Sequence, residues 1–459
     1  MCHTIDRAAK AGNQGVDRMQ DSGVVDRRME PAGPYERPLY EIRPGSTDLR
    51  MASSEDPLVR IADNVTMSEG TTNSYLVTTP EGDVVVSTGL VVEGPIHRAK
   101  FDRVSTAPVR TIVLTQAHLD IVGGFAAFQG PGTEIVAHHN THACQEDDER
   151  IKGFRQLRNP RFFPQQMSEL SVADREAMRK GMESAHRKAE PPILVEDRLD
   201  FALGGVRFEI FALPGGETND SLIVHLPDQG IVFTGNALGP LFPHMPNLHT
   251  IRGDRPRGAL PYIATYDKIL SLEPELLVTG HFDPIRGRDF VRAELTRLRD
   301  AVQYVHDETV RGMNEGKDVY TLMREIRLPP GLKVGEDYGT VPWAVQAIWH
   351  GYAGWFYYKS TTELYPTPAR DVYAELGRLA GPDALAVRGR ELLEAGKPLD
   401  AIHLAEVAMA AEPEYRAALE LYRDAHAILL AESAPKNRWF HYWLKGEIGE
   451  TEKKLGTSA

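Results

Sequence analysis

Between Val59 and Thr279 one pattern recurs: a short apolar run, a turn built from Gly, Pro, Asn or Asp, then another apolar run. This punctuation constrains the fold more than any other feature. "NSYLVTT", "PEGD" and "VVVSTGL" read as two strands joined by a tight turn. "VRTIVLTQ" is almost continuously apolar, as strands covered on both faces are, and "TEIVAHH" reads as a further strand. Strands resume in "ILVEDRLDFALGGVRFEIFALPG", "DSLIVHLPDQGIVFTGNAL" and "ELLVTGH", where the "LGG" and "PDQG" turns predict antiparallel hairpins. A helix is expected over "PYIATYDKILSLEP". Strands interleaved with helices predict an α/β fold in which two sheets lie between helical layers.

Outside this region the text changes. Residues 140–192 are polar and partly helical, and read as an insertion carrying a loop or lid. Beyond about residue 290 apolar residues fall at three- and four-residue spacing, first in "DFVRAELTRLRDAVQYVHDETVRGMNEG" and then in an array from Asp371 to about Leu430. That array is expected to be a helical appendage or dimerisation module. A chain of 459 residues is too long for one core. The expected division is an N-terminal arm at 1–55, flexible over its first forty or so residues, a catalytic domain at 56–315 and a helical domain at 316–459.

Charge and composition exclude several partners. A net charge of −13 argues against nucleic acid or an anionic membrane surface. No apolar run is long enough for a membrane span, and the N-terminus has no secretory h-region, so the cytoplasm is the expected compartment. With two cysteines there is neither a disulfide framework nor a cysteine zinc knuckle. A metal would have to be held by His, Asp, Glu or Gln, which gives the 16 histidines their interest.

Titratable residues recur where apolar strands end. "LTQAHLDIVGGF" presents His118 and Asp120 before Gly123 and Gly124, "LPGGETND" places Glu217 on a Gly-rich loop, and "VTGHFDP" puts His281 directly after the last strand. Packing alone does not explain that recurrence. Each residue also has a purely architectural reading: Asp120 as a helix cap, Arg252 in an interior ion pair, Asn247 in a turn. The histidines of "HHNTH" (138–142) are read as surface or loop residues, and "WHGYAGWFYY" largely as core packing.

These loops resemble the metallo-β-lactamase superfamily, and the chain as a whole is similar to its alkylsulfatase branch. The superfamily's His-x-His-x-Asp-His loop aligns as Gln116, Ala117, His118, Leu119, Asp120, Ile121. The glutamate ligand of that branch falls on Glu217, its bridging glutamate on Gly235, and its last histidine on His281. "NLHTIRG" matches the branch's sulfate-holding stretch through Asn247 and Arg252, and "DYGTVPWAVQAIWHGYAGWF" its tyrosine signature, which would bring Tyr352 near the anion. The resemblance runs from about residue 60 to 445. It implies an αββα metallo-β-lactamase sandwich followed by an all-α dimerisation domain, and hence a homodimer. It does not extend to the branch's lipid-carrier-like domain, so long detergent-like substrates are not expected.

The departures set the chemistry. One ion would have Gln116, His118 and Glu217; a second would keep only Asp120 and His281, having lost a histidine to Ile121 and the bridge to Gly235. A dinuclear site needs about three protein ligands per ion and a bridge. One divalent ion is therefore expected, with no second. The oxygen-rich donor set suits Zn²⁺, Mn²⁺ or Fe²⁺. Asp120 is the candidate general base, and Arg252 would neutralise a small anionic organic substrate. The resemblance favours hydrolysis of a sulfate ester. Two alternatives stay open: a non-hydrolytic metalloenzyme performing oxidation, elimination or isomerisation, and an inactive binding or scaffold protein.

Overall fold

The computed structural model describes residues 23–28, 37–162, 171–184, 187–432 and 436–457. Eight strands form one sheet in chain order: β1 (Val24–Asp26), β2 (Leu58–Ala62), β3 (Val65–Ser68), β4 (Ser74–Val77), β5 (Asp83–Val86), β6 (Val109–Val113), β7 (Glu134–His138) and β8 (Ile193–Val195). β2 to β5 run antiparallel, while β5 to β8 are mutually parallel. Parallel neighbours need crossovers. Helix Gly94–Phe101 supplies the first of these, and the insertion helices Thr141–Arg150, Lys152–Phe162 and Val172–Glu183 supply the last. The second sheet holds β9 (Arg198–Leu203), β10 (Val206–Ala212), β11 (Leu222–Leu226), β12 (Ile231–Gly235), β13 (Leu276–Thr279) and β14 (Ile285–Arg286), in the spatial order β14-β13-β12-β11-β10-β9. The expected "LGG" and "PDQG" turns join β9 to β10 and β11 to β12 as antiparallel pairs.

Three apolar layers hold the sandwich. Val77, Val86 and Val113 of the first sheet pack with Phe208, Val224 and Phe233 of the second. Successive strand residues face opposite sides, so Ile112 points outward to join Phe101 and Phe128. This explains why "TIVL" reads without alternation: both faces of β6 are covered. Behind the second sheet, Tyr262 and Tyr266 of helix Ala259–Ser271 pack with Leu295 and Val302 of helix Arg288–Asn314 and Val345 of helix Val341–Ala353. The fold is an αββα sandwich, as expected.

The N-terminal arm is held to the sandwich where it is described; residues 1–22 and 29–36 lie outside the described residues. β1 pairs in parallel with β2. Leu39 is buried in the outer core, and the Arg43 guanidinium donates to the carbonyls of Phe242 (2.8 Å) and Asp283 (2.7 Å). Ser46 donates to the carbonyl of Lys436 (2.9 Å), and the Ala52 amide to Glu93 (2.8 Å). These residues form a strap across the sandwich. Polarity misleads here, because the strap is held through backbone carbonyls rather than an apolar stripe.

Helices Tyr373–Ala380, Pro382–Glu394, Pro398–Ala411 and Arg416–Glu432 stack by short turns, with Leu393, Ala401 and Leu421 in a core of their own. Helix Arg438–Leu455 then returns to the sandwich. Trp439 packs edge-on to Phe162 at 5.5 Å, and Glu447 pairs with Arg161. Among the described residues no helix is long and apolar enough to cross a membrane.

Candidate active site

The site lies where the two sheets' strand ends meet. β6 runs into the loop carrying Gln116 and His118, and His118 occupies the N-cap position of the short helix Leu119–Val122. Gly124 is required by close approach rather than by turn geometry. Its φ is −84°, open to any residue, but a Cβ there would sit 2.1 Å from the Thr88 carbonyl oxygen. Asp220, on the loop before β11, pins this segment by accepting from the Ala117 amide (2.7 Å) and the Thr141 hydroxyl (3.0 Å). One carboxylate therefore ties the loop to the start of the insertion.

The two halves of the site differ. In the first, Asp120 Oδ2 accepts from Thr72 Oγ1 (2.5 Å) and Asn236 Nδ2 (3.2 Å) and stands 3.9 Å from His281 Nε2. Burial opposes ionisation of Asp120, but His118, His281, Thr72 and Asn236 together hold its pKa below the usual carboxylate value. Burial lowers the His281 pKa below the usual imidazole value, against the opposing pull of Asp120. The His281 ring lies against the Thr71 backbone, and the buried Oδ1 of Asn236 and Oε1 of Gln116 are unpartnered. Buried acceptors left without donors are costly unless a cation or water meets them.

The second half is paired charge against charge, although Gln116 Oε1 and the Nε and Nη2 of Arg257 make no hydrogen bond. Glu217 Oε2 accepts from Arg257 Nη1 in a pair whose side chains are each 2% exposed. Burial pushes the Glu217 carboxyl up to about 7, against the opposing pull of Arg257. His118 Nδ1 meets Gln116 Nε2 at 2.6 Å, and its Nε2 faces Asp254 Oδ2 at 3.3 Å. Burial would lower the His118 pKa, but Asp254 outweighs it and the net shift is upward. Asp254 is the hub: it also meets Arg252 (3.2 Å), Arg155 of the insertion (3.3 Å) and Arg257 (3.6 Å). Burial works to raise its pKa, yet His118 and the guanidinium groups take it far below the carboxylate range.

The residues singled out in the sequence do not all converge. Gln116, His118, Asp120, Glu217 and His281 come together at the strand ends, and Arg252 joins them through Asp254. Asn247 is fully buried, and its amide is satisfied by the His249 carbonyl (2.9 Å) and the Trp439 indole (3.0 Å) once oriented to suit them. Tyr352 is 58% exposed and bonds His306 Nε2 at 2.9 Å. Tyr338 instead reaches the site, 3.3 Å from Arg257. Sequence reasoning missed Asp254, Arg257, Arg155, Tyr338, Thr72 and Asn236. For the first two the available signal was "RGDRPRG", an acidic residue among three arginines directly after the matched stretch. Of "HHNTH", His138 is fully buried in β7 rather than on the surface, whereas His142 is largely exposed.

The donor set fits a metal ion in one half only. Among the described residues no three His, Cys, Asp or Glu side chains converge as metal ligands do. The sequence assigns the expected ion to Gln116, His118 and Glu217; the structure instead leaves Asp120 and His281, two ligands rather than three, beside the unpartnered Asn236 Oδ1. Glu217 and His118 are engaged by Arg257 and Asp254. Gly235 cannot simply be refilled, since its φ is +49° and a Cβ there would lie 2.2 Å from Thr115 Oγ1. A small cavity of about 60 Å³ opens beside this half, lined by His118, Glu217, Asp220, Asp254 and Arg257 among others.

Comparison with known proteins places this geometry. Residues 67–281 match the metallo-beta-lactamase superfamily, and residues 320–451 match the alkyl sulfatase dimerisation family. A linear primary-alkylsulfatase of Pseudomonas sp. (strain ATCC 19151) is 29% identical over 321 residues, covering 67% of this chain and 60% of that protein. An alkyl/aryl-sulfatase of Saccharomyces cerevisiae is 23% identical over 437 residues, covering 90% of this chain and 67% of that protein. The fold matches that of the stereoselective inverting sec-alkylsulfatase Pisa1 from Pseudomonas sp. with a TM-score of 0.72 at 20% identity, over 88% of this chain and 66% of that one. The chain thus spans about three fifths to two thirds of the length of these relatives. The chain carries a metallo-β-lactamase domain followed by an alkyl-sulfatase dimerisation domain, and its relatives are alkylsulfatases.

Proposed function

We propose that the protein hydrolyses the sulfate ester of a small organic alcohol, adding water to release the alcohol and hydrogensulfate. The observation that carries this reading is that the curated relatives are alkylsulfatases by name, while Asp120, His281, His118 and Arg252 gather at the strand ends of this fold. One divalent ion, Zn²⁺, Mn²⁺ or Fe²⁺, held by Asp120 and His281 would supply the charge that polarises the ester. A second ion has no place in the reading.

The chain's own residues do the rest. Asp120 Oδ2, steadied by Thr72 and Asn236 and facing His281, would hold the ion, and Oδ1 would orient the attacking water and take its proton. Arg252, partly exposed at the rim and held by Asp254, offers the remaining faces of its guanidinium to the sulfate group. Asn247 acts by fixing the loop that carries Arg252 rather than by touching the anion. Tyr352 is placed in the same reading as a rim residue that reaches the anion only if it leaves His306. The match of residues 320–451 to the dimerisation family supports a homodimer, and the cytoplasm is the compartment of this reading.

The test is release of inorganic sulfate from a series of short alkyl and aryl sulfates by protein loaded in turn with Zn²⁺, Mn²⁺ and Fe²⁺. Release that falls at least 100-fold in Asp120→Asn and in His281→Ala is the expected result. No release above background from any ester with any ion would end the proposal.

A further inference from the structure

The half of the site formed by Gln116, His118 and Glu217 contains its own cation. The Arg257 side chain is 2% exposed, bonds Glu217 through Nη1, and is braced by the Asn247 carbonyl (3.4 Å) and Tyr338 hydroxyl (3.3 Å). Beside it, Asp254 occupies the imidazole nitrogen of His118 that Gln116 does not. Every charged group here has a counter-charge, and Arg155 reaches in from the insertion to complete the arrangement. We propose that Arg257 is the resident cation of this half-site, and that the Arg257–Glu217 and Asp254–His118 pairs together close it to a metal ion.

The physical argument is one of competing charges. A metal bound to Glu217 lies about 2 Å from a carboxylate oxygen, so a guanidinium already within hydrogen-bond distance of that carboxylate would stand only about 4 Å or so from a divalent ion. In a site this buried the two cations repel strongly, so Arg257 weakens Glu217 as a metal ligand. Displacing Arg257 instead breaks its pairing with Glu217 and leaves a largely buried guanidinium with Asp254, at 3.6 Å, as its remaining counter-charge. His118 faces the same choice, because coordination through Nε2 would leave Asp254 to Arg252, Arg155 and Arg257 alone. The substitutions at three ligand positions point the same way. Gln116 gives its amide nitrogen to His118, Ile121 is fully buried in the core, and Gly235 leaves no bridging carboxylate.

This inference concerns ion binding and stands whether or not the protein hydrolyses sulfate esters, since its test uses no substrate. Calorimetric titration of chelator-treated full-length protein with Zn²⁺ alone, checked by elemental analysis, reads the number of ions and their affinity. Wild type is expected to take one equivalent at most, and Glu217→Gln to leave stoichiometry and affinity unchanged within about twofold. His118→Ala serves as the second variant should Glu217→Gln fail to give a native circular dichroism spectrum. The paired neutral substitution Asp254→Asn with Arg257→Gln removes both counter-ions and is expected to gain an equivalent. Two equivalents on wild type, a tenfold or greater loss of Zn²⁺ affinity in Glu217→Gln or His118→Ala, or no gain in the paired variant would each overturn the proposal.

Discussion

At the scale of single residues, the decisive substitutions are those that exchange metal ligands for groups satisfied within the protein. A buried ion pair is no guide to net stability, but breaking it from one side leaves an uncompensated charge. Arg257→Met is therefore expected to destabilise the fold by roughly 3–5 kcal/mol, and Glu217→Gln combined with Arg257→Met by less than the two single effects added. Denaturant unfolding of the four proteins in that cycle checks this, and strict additivity would mean that the two groups do not interact. Gly235→Glu, the apparent reversion to the family ligand, is expected to lose about 2 kcal/mol or more and to bind no additional ion. It forces a side chain into left-handed backbone and against Thr115. The same residues mark the limit of what the sequence discloses. His118, Asp120, Glu217 and His281 were legible because each follows an apolar run at a strand exit. Asp254 and Arg257 were not, because no periodicity links Asp254 to His118, 136 positions away, or Arg257 to Glu217, 40 positions away.

At the scale of elements, helix Gly94–Phe101 carries a group whose titration touches the whole first sheet. His97 is fully buried, bonds Ser68 at 2.8 Å, and is wedged against Gly70 and Gly89 so closely that a Cβ on either would meet its ring. Burial, helped by Lys100, lowers its pKa to about 3, and burial lowers that of His244 to about 3 as well. For such histidines the unfolded chain binds protons below about pH 6.5 while the folded protein does not. Stability is thus unaffected by these groups above pH 6.5 and falls as the pH drops toward 3. Each is expected to cost about 2 kcal/mol by pH 5. Equilibrium unfolding at pH 7, 6 and 5 should show the decline, with a shallower slope in His97→Gln. An unchanged slope would remove His97 from the account. The elements themselves were largely legible, since hairpin turns and helical spacing are local. The strap at 37–55 was not, because Arg43 and Ser46 are held by carbonyls of segments hundreds of residues away.

At the scale of the whole molecule, the helical region leaves apolar side chains in solvent. Leu376 is 48% and Leu379 76% exposed on helix Tyr373–Ala380, with Val372 just before it at 53% and Val387 on the next helix at 55%. Such patches mark association surfaces, and the proposed homodimer would cover this one. Sedimentation of Leu376→Glu with Leu379→Glu is expected to show monomer at concentrations where wild type sediments at twice the chain mass. A dimer unaffected by both charges would place the interface elsewhere. The helical character of this region was plain from its spacing, whereas its return to the sandwich through Arg438–Leu455 was not. That contact depends on Trp439 and Glu447 finding Phe162 and Arg161 of the insertion. The insertion is thereby gripped between the C-terminal helix and the Asp254 hub. It is a structural link between the helical region and the site.

The rebuilt site is tested most directly by anomalous scattering from crystals equilibrated with Zn²⁺. One anomalous peak within ligand distance of Asp120 and His281, with the Glu217–Arg257 and His118–Asp254 pairs intact beside it, is the predicted result. A peak coordinated by His118 and Glu217, with Arg257 displaced, would contradict the account.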